Sequence, residues 1–219
     1  MRQESKLVQS LIKEAKSVKS SGFEQLYWTH VSRIYTFGLK LYGHNKNAAE
    51  ELTKRVFVNA FEQINAYPEN ETFILWLRMI AVYEARKGDI EKSIDMHEEE
   101  AVVKAIFLLP IEGRIIFILH DVDKLPLEEI TLITKDSVEH INIELEQVRK
   151  LMMDKLRVES LDDLDYKIAF LPQKIGPRPG LWKIILNLIN KTEHEKHEED
   201  EKKKNSMGEK LLRLLKKKS

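Results

Sequence analysis

Two histidines near the carboxyl end of the chain, His194 and His197, are spaced so that one face of a helix could hold a metal ion. They lie in a run of charged residues from Glu193 to Glu201, a composition typical of a solvated segment, and no scaffold fixes them. The chain contains no Cys, which excludes Cys-ligated zinc and iron–sulfur sites. We therefore expect no metal site and no cofactor.

Enzyme motifs are missing from the sequence. It has no Gly-rich phosphate loop, no nucleophile elbow and no HExxH motif. The paired carboxylates Glu128 and Glu129 are adjacent, and adjacent side chains diverge on a helix, so they cannot act as a catalytic dyad. We expect a protein that is not an enzyme and has no small-molecule substrate.

The composition is typical of a soluble helical protein. The 219 residues are 42% hydrophobic and 33% charged, with 8 Gly and 6 Pro. Neither a signal peptide nor an apolar run long enough to span a membrane is evident, which favours a cytoplasmic location. The 36 basic residues balance the 36 acidic ones, whereas an autonomous nucleic-acid binder usually carries a basic excess.

Apolar residues recur at helical spacing along most of the chain, and no stretch alternates as a strand does, so the fold class is all-α. Asn47 and Thr72 are the predicted N-caps of the third and fourth helices. Lys135-Asp136 is the predicted turn of a helix-turn-helix. The predicted organisation is an N-terminal helix, a helical domain, a charged linker, a helix-turn-helix domain and a partly disordered extension, at residues 1–21, 22–90, 91–100, 101–157 and 158–219.

Two stretches of the first helical domain carry a family resemblance. The run from Ala49 to Phe57, AEELTKRVF, and the run from Phe73 to Ala81, FILWLRMIA, follow the patterns AEDLxQExF and FxxWLxxIA. Together they resemble region 2 of bacterial RNA polymerase sigma factors of the extracytoplasmic-function (ECF) type. The resemblance is divergent, because Lys54 and Arg55 stand where the family has a neutral and an acidic residue, and Val82-Tyr83 replace Arg-Asn.

The helix-turn-helix domain resembles region 4 of the same family. Leu109-Pro110 through Leu119 and Leu125-Pro126 through Ile130 are similar to its first helix and its support helix. In the recognition helix from Ser137 to Arg149 the buried positions match. Its outward face differs, because Glu139, Asn142, Glu144 and Gln147 stand where the family has Gly and bases.

The resemblance implies three sets of functional residues. One set would dock core RNA polymerase: Glu50, Glu51, Leu52, Arg55 and Phe57. A second would lie near the −10 promoter strand, where an aromatic wall and hydrogen-bonding groups can hold a flipped base: Tyr67, Asn70, Phe73, Trp76 and Arg78. A third would face the −35 groove: Ser137, His140, Asn142, Gln147 and Arg149. The implied partners are core polymerase, promoter DNA and an anti-sigma factor.

The charge of the second domain favours an alternative. Residues 98–156 hold thirteen acidic and seven basic residues, although this domain would have to approach a polyanion. We therefore predict weak or absent −35 binding. The alternative is a sigma-derived protein that acts through protein–protein contacts with polymerase or a regulator, or through a membrane surface that its basic tail, ending in Lys216-Lys217-Lys218, would bind.

Overall fold

The computed structural model describes residues 4–17, 19–93 and 100–192, and over these ranges every regular element is helical. The helices are α1 Lys6–Ser17, α2 Lys19–Leu41, α3 Lys46–Glu62, α4 Phe73–Arg86, α5 Ala101–Phe107, α6 Ile111–Phe117, α7 Leu127–Thr134, α8 Val138–Leu156 and α9 Leu161–Ile168. The all-α prediction is confirmed. The His194–His197 pair, the basic tail and most of the predicted linker lie outside the described residues.

The chain divides into two compact units, Met1–Leu181 and Trp182–Ser219. Both predicted sigma-like domains lie in the first unit. In the second unit, residues 182–192 are helical.

Helices α1 to α4 form the first helical block around an aromatic core. Phe23 and Tyr27 of α2 meet Phe57 of α3 edge to face, with ring centroids 6.4 and 4.8 Å apart. Helix α1 folds back along α2 at Gly22, where an added Cβ would lie 2.7 Å from the backbone nitrogen of Ala15. A glycine is therefore needed for this close approach.

The ends of α3 and α4 are fixed by side-chain caps. The predicted cap Thr72 is confirmed, since its hydroxyl accepts from the Leu75 amide at 3.4 Å. The prediction of Asn47 is wrong, because Asn45 adopts the extended backbone and accepts from the Ala48 amide at 2.9 Å. Helix α3 thus begins one residue before Asn47, which lies inside its first turn.

Helices α5 to α8 form the second block. Helix α6 runs on into a π-helical turn, Ile118–Val122, and a short turn joins α7 to α8 where the sequence predicts a helix-turn-helix. Lys135 makes the turn in the left-handed backbone conformation, with φ of 66°. Gly113 lets α6 approach α8 closely, since an added Cβ would lie 2.3 Å from Cγ1 of Val148.

The two blocks pack against each other through α4 and α7 and through ion pairs. Arg86 at the end of α4 bonds Glu112 at 2.7 Å, Asp136 at 2.9 Å and the Thr134 carbonyl at 2.6 Å. The buried guanidinium of Arg114 donates to the Leu41 carbonyl at 3.1 Å. These polar contacts hold the helix-turn-helix against the first block.

Candidate functional site

Two of the five predicted polymerase-docking residues lie in the core. Leu52 and Phe57 of α3 have no exposed surface. They form part of the apolar face with which α3 packs on α2 and α4, so they hold the helix in place and offer no surface to a partner.

The charged residues of α3 are engaged within the chain. Glu51 accepts from Arg55 at 2.8 Å and also pairs with Lys54, and Arg55 reaches Asp89 at 2.7 Å. Burial raises the pKa of Glu51, but the hydrogen bonds from the two bases outweigh it and hold the pKa below its usual value. The bases at positions 54 and 55 therefore neutralise the neighbouring acid of their own helix.

Glu50 is covered by a distant part of the chain. Its carboxylate is 9% exposed and lies 2.8 Å from Nε of Arg178. Arg178 belongs to residues 171–180, hereafter the covering segment, which follows α9. Its prolines and glycines are typical of a loop, and neither its apolar pattern nor its charge indicates a position against α3.

The three aromatic residues predicted near the −10 strand form a buried cluster. The ring of Tyr67 lies 5.7 Å from that of Phe73 and 5.3 Å from that of Trp76, and each residue is at most 6% exposed. The hydroxyl of Tyr67 donates to the Glu71 carbonyl. This cluster fixes the loop between α3 and α4 and leaves its polar residues on the surface.

Asn70 and Arg78 have different surroundings. Asn70 is exposed and lines a cleft of about 420 Å³ between the loop and α7. Glu71, Glu128 and Glu129 share this lining, so the cleft would be unfavourable for a phosphate group. Arg78 is half-buried and faces Asp123 of the second block at 3.8 Å.

On α8, only part of the predicted −35 set faces outward. Ser137 is the N-cap and accepts from the His140 amide at 3.1 Å. His140, Asn142 and Gln147 are exposed. Their exposed neighbours on the same helix include the acidic or apolar residues Glu139, Ile143, Glu146 and Leu151 and one base, Lys150.

Arg149, the base of that set, is turned inward. Its Nε donates to Oδ2 of Asp121 at 2.8 Å, and its second nitrogen bonds the other oxygen of the same carboxylate. Burial raises the pKa of Asp121, but the hydrogen bonds from Arg149 and His120 hold it below its usual value. Arg149 therefore joins α8 to the π-helical turn.

Among the described residues no cluster of metal-ligating side chains occurs. In the same part of the chain, no helix has the length and apolar character needed to cross a membrane.

Comparisons with known proteins rest on structure, since no family model and no curated protein matches the sequence. The sigma factor RpoE from Bartonella quintana, solved with the anti-sigma factor NepR, is 18% identical with a TM-score of 0.54. The similarity covers 63% of this chain and 98% of RpoE. CnrH, solved with the cytosolic domain of CnrY, is 16% identical with a TM-score of 0.54, over 70% of this chain and 99% of CnrH.

The resemblance to a divergent ECF sigma factor is thus confirmed at the level of the fold. The chain has the all-helical fold of the sigma factor RpoE and of CnrH.

Proposed function

We propose that this protein is an ECF-type sigma factor that binds core RNA polymerase and directs it to promoters. One observation carries the proposal. The structural similarity covers 98% of the sigma factor RpoE and 99% of CnrH. The sequence motifs at Ala49–Phe57 and Phe73–Ala81 lie on α3 and α4 of this fold. Because the fold and the sequence motifs indicate the same family, a shared function is the simplest account.

The proposed polymerase contacts on α3 are the half-buried Glu51 and Arg55, together with Glu50, which Arg178 covers. The proposed −10 contacts lie in the loop that the buried aromatic cluster supports, with Asn70 exposed at its surface. An anti-sigma factor is a further proposed partner, because RpoE was solved with one.

A second candidate is a sigma-like protein that binds polymerase or a regulator and does not read promoters. It is favoured by α8, where Arg149 bonds Asp121 and the outward face carries Glu139, Glu146 and exposed Ile143. Phosphate contacts depend on cations, and the exposed bases of α8 are only Lys150 and Lys155, both in its second half. Glutamates and an isoleucine suit a protein surface better.

The two candidates are separated by pull-down with core polymerase followed by run-off transcription on a promoter library. Asn70→Ala alters the proposed −10 loop, and Asn142→Ala is the matched change on the exposed side of α8. A sigma factor that depends on −10 contacts would transcribe, and Asn70→Ala would lower its activity about tenfold. Asn142→Ala would leave transcription unchanged.

Polymerase binding without transcription would support the second candidate. Absence of both binding and transcription at micromolar concentrations would overturn the first candidate and the polymerase-binding form of the second.

A further inference from the structure

The covering segment, residues 171–180, lies against α2 and against α3, the helix that carries the proposed polymerase contacts. Thr36 of α2 holds it at Ile175. The Thr36 hydroxyl accepts from the Ile175 amide at 2.7 Å and donates to the Ile175 carbonyl at 3.1 Å. Both backbone groups of Ile175 are thereby satisfied by one buried side chain, which fixes the path of the segment at this residue.

Arg178 provides the second attachment. Its guanidinium lies 2.8 Å from the carboxylate of Glu50, and Arg178 is itself 63% exposed. The guanidinium therefore lies on the solvent side of Glu50 and covers it. A partner that approached Glu50 from solvent would have to displace Arg178 first.

The covering segment is bounded by two buried apolar residues. Leu171 at its start and Leu181 directly after it are each 3% exposed. Three prolines, Pro172, Pro177 and Pro179, restrict the backbone between them and so lower the conformational entropy lost when the segment is ordered. Such a segment can stay bound through few polar contacts.

We propose that the covering segment is an internal competitor of core polymerase for the surface of α2 and α3. The inference rests on the proposed function, in which α3 docks polymerase. Because the segment is part of the same chain, its effective concentration at this surface is high, on the order of millimolar. Polymerase binds only the fraction of molecules in which the segment has left, so its apparent affinity is reduced by that fraction.

The test uses the full-length chain with two variants that detach the segment in different ways. Thr36→Val removes the hydroxyl and adds no charge, and Thr29→Val on the exposed side of the same helix is its control. Arg178→Glu places a second acid beside Glu50. Its control, Lys174→Glu, makes the same charge change at an exposed residue of the segment.

Two quantities are measured for each variant: the affinity for purified core polymerase and the hydrogen exchange of the Ile175 amide. We expect Thr36→Val and Arg178→Glu to bind polymerase about three to ten times more tightly than the wild type, as one lost hydrogen bond or ion pair allows. The Ile175 amide should exchange faster in both. The two controls should match the wild type in affinity and in exchange.

Three other outcomes would contradict these statements. Faster exchange with unchanged polymerase affinity would overturn the inference and leave the proposed function standing. Unchanged exchange in both variants would show that these contacts do not hold the segment, which also overturns the inference. Absence of polymerase binding by every variant would overturn the proposed function, and the inference with it.

Discussion

Nζ of Lys40 lies 2.6 Å from Oδ1 of Asp123, and the two side chains are only 2% and 13% exposed. Lys40 is in α2 of the first helical block, and Asp123 follows the π-helical turn of the second. Arg78 of α4 approaches the other oxygen of Asp123 at 3.8 Å. This carboxylate therefore joins the two blocks, and its removal would leave Lys40 buried without its counter-charge.

Asp123→Asn is expected to lower the free energy of unfolding by about 3 kcal/mol, because removing one member of a buried ion pair leaves the other charge uncompensated. The measurement is equilibrium unfolding in urea. Asp162→Asn, the same change at an exposed position of α9, should alter the free energy of unfolding by less than about 0.5 kcal/mol. Equal effects of the two substitutions would show that the Lys40–Asp123 pair does not stabilise the fold.

The buried His30 should make the free energy of unfolding depend on pH. Burial, and then the charge of Arg33, lower its pKa from 6.5 to about 4. In the folded protein His30 is neutral, whereas in the unfolded chain it takes up a proton below pH 6.5. Stability is thus complete above that pH and falls as the pH decreases towards about 4, with a total loss of roughly 3 kcal/mol from this group.

The measurement is the free energy of unfolding of the wild type and of His30→Leu between pH 4 and 7. The variant should show a flatter pH profile over that range. His140→Leu, at an exposed histidine of α8, should keep the slope of the wild type. If His30→Leu kept the pH slope of the wild type, His30 would not be the group that causes the pH dependence.

Arg149 is expected to stabilise the fold without contributing to DNA affinity. Arg149→Ala removes the paired donor of the buried Asp121 and should cost about 2 kcal/mol in urea unfolding. Lys150→Ala, at the exposed neighbouring residue, should cost almost nothing. We predict that the wild type binds promoter duplex weakly or not at all in a fluorescence titration at low salt. Neither substitution should change that affinity. Sub-micromolar, salt-sensitive binding that Arg149→Ala abolishes would refute this prediction.

Gly22→Ala is expected to loosen α1 from α2. The new methyl group would lie 2.7 Å from the Ala15 nitrogen and 2.9 Å from the Leu11 carbonyl oxygen, and backbone atoms can yield only if the helices separate. We expect a loss of about 2 kcal/mol in thermal unfolding. Gly176→Ala is the control, because nothing lies within 4 Å of its added Cβ. A Gly22→Ala protein as stable as Gly176→Ala would mean that α1 and α2 are not closely packed at Gly22.

The helices and their local signals could be predicted because their causes lie within a few residues. Apolar spacing placed α3 and α4, Thr72 was identified as a cap, and Lys135 was placed in a turn. The cap of α3 was misplaced by two residues, since Asn45 and Asn47 are chemically equal candidates and only the backbone conformation distinguishes them. The resemblance of the motifs to those of ECF sigma factors also predicted the fold. The motif positions that match are mostly buried ones, and buried positions follow helical periodicity.

The partners of the charged residues could not be predicted in this way. With 36 basic and 36 acidic residues, each charge has many possible partners, and neither spacing nor motif selects among those that lie far apart in the chain. Arg149 was assigned to DNA and instead bonds Asp121, and Arg178 covers Glu50 from a stretch with the composition of a linker.

The sequence by itself therefore determined the helices, their order and their buried faces, since hydrophobic burial depends on local periodicity. Tertiary structure alone decided which surfaces stay open to a partner. The Coulomb attraction of two charges depends on their distance in space, and that distance exists only after the helical blocks and the covering segment have packed.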